Sequence, residues 1–308
     1  MPCYNPQFAY RGAQVNENGK RPLVFSPTRA INNEGFELPC NYCIGCRKDQ
    51  ARDWQLRIMH EASLYNDNNC FLTLTYDDYN LPGNHSLNHE HVQLFLKRLR
   101  KKYPAETIRY YMAGEYGDLT YRPHYHVILF NHSFPDQVKI STKNGLHTYN
   151  SQILDRIWSM GHCTVQPLTL ASARYCSNYL LKKQRKNATH TYYYTDRHGE
   201  IHRQNPPYAR MSTKPGIGAA WYRKYAKDVQ HGDFVVLNGQ KSPVPKYYDY
   251  IRQFRNPEEE RALRHIRRTR AKQQKPIERT TARRQVKERI AQIKQKASER
   301  PLDQEPKQ

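Results

Sequence analysis

Hydrophobic positions along the chain alternate between two spacings. Between Asp49 and Tyr65, the residues Trp54, Ile58, Ala62 and Tyr65 recur at helical spacing and predict an amphipathic helix. CFLTLTY, Cys70 to Tyr76, alternates with period two. It predicts a strand with Leu72, Leu74 and Tyr76 on one face and Phe71, Thr73 and Thr75 on the other. Val92, Leu94, Phe95, Leu96 and Leu99 return to helical spacing and run into the basic stretch KRLRKK. IRYYMAGE and HYHVILF predict two more strands, joined by YGDLTYRP. SQILDRIWSM reads as a helix, HCTVQPL as a short strand and LASARYCSNYLLKKQ as a helix. TYYYTDRHGEIH suggests a hairpin, and MSTKPGIGAAWYRKYAKDV a Gly/Pro turn leading into a helix. Residues 1–50 are rich in Pro, Asn and Gly and read as a loop-dominated element. From Asn256 onward charged residues and Gln dominate without aromatics, which predicts a helical or disordered tail outside the core.

Composition adds a partner to this outline. The 308 residues carry a formal net charge of +22, and the tail alone holds 16 Lys and Arg against eight Asp and Glu. An excess of this size points to a polyanion, with nucleic acid first. There are 24 tyrosines against nine phenylalanines. Tyrosine stacks well on bases, although a half-wet core rich in Tyr gives the same count. The opening MPCYNPQFAYRG has no basic stretch followed by an apolar run, and no stretch is long and apolar enough to span a membrane. The expectation is a protein of a reducing cytoplasm, with seven cysteines that do not form disulfides.

RPHYHVILF, Arg122 to Phe130, places two histidines at the mouth of an apolar run. On a strand, His124 and His126 point to the same face, as a metal ion or a phosphate requires. The run Val127 to Phe130 is apolar on both faces, so the strand should be central and rigid. If the preceding strand forms a hairpin with this one, Glu115 falls opposite His124 and supplies a carboxylate. Two imidazoles and a carboxylate leave coordination positions open and suit Mg2+ or Mn2+ gripping a substrate phosphate. His89 and His91 share the spacing but open a helix, where residues two apart diverge, so they are set aside.

In ARYCSNYLLKK, Tyr175, Tyr179 and Lys182 lie on one helical face. A phenol, with its pKa of about 10, is a poor nucleophile at neutral pH, and a metal that polarises the phosphate, with a nearby cation, makes its attack feasible. Arg122 beside the histidines and Lys183 beside Lys182 are candidate DNA contacts. FLTLTY, RPHYHVILF and ARYCSNYLLKK, in this order, resemble the three motifs of HUH endonucleases, and the paired tyrosines resemble the two-tyrosine branch of rolling-circle initiators. PCNYCIGC, GEYG with RPHYH, and MSTKPGIG are similar to replication initiators of microviruses of the gokushovirus type. The resemblance covers roughly residues 1–255 and leaves the tail uncovered.

That resemblance implies an α+β fold, a central antiparallel sheet carrying the H-x-H strand and flanked by helices. The expected organisation is a Cys-rich element over 1–50, the endonuclease domain over 51–255 and a basic tail over 256–308. His124, His126 and Glu115 would bind the divalent metal. Tyr175 or Tyr179 would attack origin DNA, leaving a 3′-OH for synthesis and a 5′-phosphotyrosine link, and the other tyrosine would act after one round so that the displaced strand closes into a circle. Lys182 would support metal placement or stabilise charge. Tyr125, between the histidines, is aromatic where relatives are usually aliphatic, and belongs on the opposite, buried face.

Cys40, Cys43 and Cys46 form C-x2-C-x2-C, and Cys3 can complete four thiolates for structural Zn2+, a set that an iron–sulfur cluster also accepts. Cys70, Cys163 and Cys176 read as small core residues. KPGIGAAW places backbone N–H groups at a helix start, where a phosphate fits as well as a plain turn does. No G-x-x-x-x-G-K-[ST] run occurs, so no nucleotide cofactor is expected and unwinding falls to a host helicase and replication machinery. The leading expectation is a metal-dependent nicking and joining enzyme in the host bacterium's cytoplasm. A plasmid initiator, relaxase or transposase shares this chemistry. The rival from another class is a non-catalytic, zinc-stabilised protein that binds or packages single-stranded DNA.

Overall fold

A computed structural model describes residues 3–298 except 18, 118–119, 144, 183–191, 197 and 274–275, with only the backbone at 179–182, 231, 272, 276, 279 and 298. The chain opens with β1 (Gln7–Arg11), β2 (Leu23–Val24), β3 (Phe36–Leu38) and α1 (Ile44–Ala62). Then come β4 (Asn69–Thr75), α2 (His89–Lys102), β5 (Arg109–Tyr116), β6 (Pro123–Phe130), β7 (Val138–Lys143) and β8 (Leu146–Asn150). Next are α3 (Gln152–Trp158), β9 (Cys163–Pro167), α4 (Leu170–Lys182), β10 (Tyr192–Thr195), β11 (Ile201–Gln204) and β12 (Tyr208–Met211). The chain continues with α5 (Ala219–Gly232), β13 (Phe234–Leu237), β14 (Gln240–Pro243), α6 (Lys246–Arg255), α7 (Pro257–Lys272) and α8 (Thr281–Ser298).

These elements form two compact units, Met1–Gln50 with Ile266–Gln308, and Ala51–His265. In the first unit β1 pairs antiparallel with both β2 and β3, giving the N-terminal region a small sheet that its Pro- and Asn-rich sequence did not suggest. Described tail residues are helical, and α8 belongs to this unit. Arg284 donates to both carboxylate oxygens of Glu37 at 2.8 and 2.7 Å, and Lys48 Nζ donates to the Ala291 carbonyl at 3.2 Å.

The second unit is built on a seven-stranded sheet of order β12-β5-β6-β4-β9-β8-β7, in which every pairing is antiparallel. The histidine strand β6 lies inside it, bonded to β5 on one side and β4 on the other. Alternation sends the two sets of side chains to opposite layers. Leu72, Leu74, Tyr76, Met112, Tyr125, Val127 and Leu129 pack with α2 and α3 through Phe95, Leu99, Leu154 and Trp158. Phe71, Tyr111, Ile128 and Phe130 form the other layer with Ile58 and Ala62 of α1 and Ala173 and Cys176 of α4. Each such buried side chain contributes about 1.5–3 kcal/mol of transfer free energy, so both helical layers are held firmly against the sheet. Cys70, Cys163 and Cys176 are buried thiols in these layers, as small apolar residues should be. Burial raises the pKa of all three.

The KPGIG turn is fastened from inside the fold. Glu61, fully buried, accepts from Arg109 Nε at 2.5 Å and from the Gly218 N–H at 2.6 Å, while Arg109 also donates to the Pro215 carbonyl at 2.7 Å. Gly218 is the N-cap residue of α5, so at least this N–H of the KPGIG turn is taken by a carboxylate of the protein. Breaking a buried pair of this kind by removing one partner typically costs about 3–5 kcal/mol.

His60 stacks on Trp221 at 3.6 Å between ring centroids, and its Nδ1 lies 2.8 Å from the Tyr248 hydroxyl. Burial lowers its pKa from 6.5 to about 4. The unfolded chain therefore binds more protons than the folded one between these values, and stability rises with pH across that window. Folding free energy measured by urea titration should be fully developed above pH about 6.5 and fall as the pH drops toward about 4. His60→Gln should flatten that slope while lowering stability near neutral pH. An unchanged slope would assign the acid sensitivity to other groups.

Candidate active site

The site begins with strand register. In the β5–β6 pair Glu115 lies directly across from His124, and Ala113 across from His126. In the β4–β6 pair Thr75 lies across from His124 and Thr73 across from His126. All of these residues project to the layer that contains Phe71, Ile128 and Phe130, at the end where its apolar side chains give way to polar ones. Tyr125 points the other way and is fully buried. Its hydroxyl donates to the Asn88 carbonyl at 2.9 Å and lies 3.0 Å from the Tyr76 hydroxyl.

One carboxylate oxygen gathers the polar groups. Glu115 Oε1 lies 3.0 Å from His124 Nε2 and 3.2 Å from His126 Nε2, and it accepts the Tyr175 hydroxyl at 3.2 Å. Glu115 and His126 are buried, while the His124 side chain keeps 17% exposure, so the cluster opens to solvent on the His124 side. His124 Nδ1 lies 3.2 Å from the Arg122 carbonyl, and His126 Nδ1 lies 3.2 Å from Thr73 Oγ1. The Nε2 contacts to Glu115 require Nε2–H donors, whereas an ion bound here would need each Nδ1–H to donate to these oxygens so that both Nε2 lone pairs turn to the metal.

Helix α4 brings the phenol. Its start is fixed by a reciprocal pair in which the Thr169 N–H donates to Ser172 Oγ at 2.8 Å and the Ser172 N–H to Thr169 Oγ1 at 3.2 Å. Ala173 and Cys176, both fully buried, press the helix onto Ile128 and Phe130. Tyr175 then sits edge-on to His126 at 4.9 Å, Phe71 stacks on that imidazole at 5.4 Å, and the two rings meet each other edge-on at 6.4 Å. Tyr179 and Lys182 belong to the same helix, but their side chains lie outside the described residues, as does Lys183 altogether. Arg122 donates to Asp78 at 2.6 Å and to the Tyr76 carbonyl at 3.1 Å, which ties the loop after β4 to the loop before β6. Thr73 and Phe71 were placed on this face by sequence alternation, yet only the structure reveals them as the supports of His126.

Glu115, His124 and His126 offer ligand atoms that all lie within 4.8 Å of one another. Two ligands about 2.1 Å from one ion at a right angle stand about 3.0 Å apart, close to the 3.0 and 3.2 Å separations found here. The donor set, two neutral imidazoles and a carboxylate, fits a divalent ion with open positions.

A second cluster lies in the N-terminal unit, where one Sγ each from Cys3, Cys40, Cys43 and Cys46 also fall within 4.8 Å of one another. Four thiolates about 2.3 Å from a tetrahedral ion stand about 3.8 Å apart, so the group fits Zn2+. Backbone N–H groups already point at sulfur: Cys40 N at Cys3 Sγ, Tyr4 N at Cys43 Sγ and Cys43 N at Cys40 Sγ, at 3.2–3.3 Å. Burial opposes ionisation of Cys43, but these backbone donors and the neighbouring thiols outweigh it and hold its pKa below the ordinary value. The cluster was half legible, since the C-x2-C-x2-C spacing marks three members whereas Cys3 joins only through the fold.

Known proteins were compared with the chain. The family described as replication-associated protein ORF2/G2P matches residues 69–184, which run from β4 through α4. The replication-associated protein VP4 of Bdellovibrio phage phiMH2K is 34% identical over 250 residues, covering 77% of this chain and 75% of the relative. The replication-associated protein ORF2 of Spiroplasma virus 4 is 31% identical over 305 residues, covering 93% and 90%. The replication-associated protein ORF4 of Chlamydia phage 1 is 25% identical over 226 residues, covering 71% and 54%. No solved structure matches the chain. Among the described residues no helix is long and apolar enough to cross a membrane.

The Thr73 hydroxyl generates a direct expectation. Thr73→Val keeps the shape of the side chain and removes the acceptor that orients His126. Mn2+ affinity measured by calorimetry should weaken by roughly 10- to 100-fold, with the melting temperature little changed. Parent-like affinity would mean that the imidazole is oriented without this hydroxyl.

Proposed function

The chain belongs to the microvirus replication-associated proteins, and on that premise we propose that it is the nicking and joining enzyme of phage DNA replication, an HUH-type endonuclease. The observation that carries this reading is the convergence of Tyr175, His124 and His126 on one oxygen of Glu115. A binding protein has no need of a phenol delivered to two imidazoles and a carboxylate at the mouth of a rigid strand.

His124, His126 and Glu115 would hold Mg2+ or Mn2+. When bound, the ion would draw electron density from the scissile phosphate and offset charge that develops on it. Tyr175 Oη then attacks phosphorus, the bond to O3′ breaks, and the DNA is left with a 3′-OH and a 5′-phosphotyrosine link. Glu115 is an acceptor in place for the phenol proton, since it already takes a Tyr175 hydrogen bond. Tyr179, one helical turn further on α4, takes the second cut, and attack by the free 3′-OH on the first link releases Tyr175 and closes the strand. Lys182 steadies developing charge, while Arg122 and Lys183 contact phosphates. The basic chain acts on single-stranded origin DNA in the host cytoplasm and leaves unwinding to a host helicase. In the N-terminal unit Cys3, Cys40, Cys43 and Cys46 would hold a structural Zn2+ that cross-links this region by metal–thiolate bonds.

Two experiments test these assignments. Purified protein incubated with Mn2+ and 3′-labelled single-stranded oligonucleotides tiled across its replicon should yield a protein–DNA adduct on denaturing gels. That adduct should disappear with EDTA and in the Tyr175→Phe/Tyr179→Phe double variant. Salt-sensitive binding with no adduct on any oligonucleotide favours a non-catalytic single-stranded DNA binding or packaging protein. Elemental analysis should find one zinc per chain, lost in Cys43→Ser together with thermal stability. Zinc-free, fully folded parent protein rejects the metal.

A further inference from the structure

Most of the tyrosines are spent on packing. Tyr76, Tyr111, Tyr125, Tyr222 and Tyr248 are core residues, and among the described tyrosine side chains only Tyr79, Tyr121, Tyr193 and Tyr250 are exposed. Three of these four gather at one end of the sheet. Tyr79 follows the C-terminal end of β4, Tyr121 precedes β6, and Tyr193 lies in the β10–β11 hairpin. They are 95%, 67% and 59% exposed. This is also the end that carries the histidines, because Thr75 and Glu115 close β4 and β5 opposite His124.

The three carriers are held in place by specific bonds. Arg122, two residues before His124, donates to Asp78 and to the Tyr76 carbonyl, so the neighbouring Tyr79 and Tyr121 sit on loops tied to each other. The hairpin is anchored to the same end. Gln204 Nε2 donates to the His85 carbonyl at 2.7 Å, Asn205 Nδ2 donates to the Leu87 carbonyl at 2.9 Å, and the Tyr116 hydroxyl donates to the Asn205 carbonyl at 2.6 Å. Its inner face is consumed by stacking, with Tyr194 on His85 at 3.8 Å and Tyr192 near Tyr116 at 6.0 Å. On its outer face Tyr193 stands directly across from exposed Arg203.

We propose that Tyr79, Tyr121 and Tyr193 form a stacking rim for the unpaired bases that flank the phosphate at the Glu115, His124 and His126 cluster, with Arg203 meeting the backbone beside Tyr193. The occupant is single-stranded DNA. An exposed aromatic ring offers surface to a base, duplex DNA hides its base faces, and the rim is continuous with a site read as acting on a phosphodiester. The net charge of +22 supplies the general attraction, and the rim supplies sequence-tolerant grip. This inference rests on the nickase reading for its substrate, but its test does not need cleavage.

Binding of a fluorescein-labelled oligothymidylate to the full-length protein would be followed by anisotropy without added Mg2+ or Mn2+ over a range of salt concentrations. Tyr79→Ala, Tyr121→Ala and Tyr193→Ala should each weaken binding roughly 5- to 150-fold at every salt concentration, without changing the salt slope. Arg203→Ala should instead reduce the slope by about one ion. Tyr250→Ala, on α6, should match the parent, and melting curves of all variants should coincide with it. A parent that does not bind the oligonucleotide overturns the rim, as do three tyrosine variants that bind like Tyr250→Ala. Equal losses on a duplex of the same length would overturn it too, because they would not depend on unpaired bases. A parent that binds through the rim yet never forms an adduct with Mn2+ would instead defeat the nickase reading and leave the rim standing.

Discussion

The antiparallel register of β6 between β5 and β4 is the constraint on which everything at the site depends. Side chains on a strand alternate, so a slip of one residue would turn His124 and His126 into the α2–α3 layer and Tyr125 out of it. The register is locked by what lies on each face further along the strand. Val127 and Leu129 fit only the layer of Leu72 and Met112, whereas Ile128 and Phe130 fit only that of Phe71 and Tyr111. The Tyr125 hydroxyl, bonded within the core to Asn88 and Tyr76, adds a polar lock, since a one-residue slip would turn it out of this layer and forfeit both bonds. Packing several residues away thus decides where the imidazoles point.

The same apolar layer delivers the phenol. Ala173 and Cys176 are small enough for α4 to lie close on Ile128 and Phe130, and that close approach carries Tyr175 to the Glu115 carboxylate. Phe71 connects the two parts of the site, stacking on His126 and meeting the Tyr175 ring edge-on at 6.4 Å. The phenol and the candidate metal ligands therefore stand on elements that share one core, which suits chemistry that needs reacting groups preorganised.

Much of this was legible because the determining signals are local. The pair His124 and His126 follows from spacing on an apolar strand, and the position of Glu115 follows from counting across a short connection. The features that escaped are those that spacing cannot encode. The β7–β8 hairpin is an exposed edge: Val138 and Ile140 alternate with polar neighbours, but the whole of Val138–Lys143 is exposed, so burial did not drive the pairing. No spacing singles out Glu61, because its partners Arg109 and Gly218 lie 48 and 157 positions away and close around it only in the fold. Cys3 is separated by 37 residues from Cys40, and only the fold puts the four sulfurs together. The Tyr-rich composition was ambiguous for a related reason, since burial alone separates packing tyrosines from those exposed around the histidine end.

The central claim is that Glu115, His124 and His126 form a single divalent-metal site within reach of Tyr175. Anomalous diffraction from crystals of the protein equilibrated with Mn2+ tests it most directly. The account predicts a peak in contact with His124 Nε2, His126 Nε2 and a Glu115 oxygen, with the Tyr175 hydroxyl alongside. Mn2+-saturated crystals in which the ion lies elsewhere, and in which the two imidazoles still hydrogen-bond to Glu115, would contradict it.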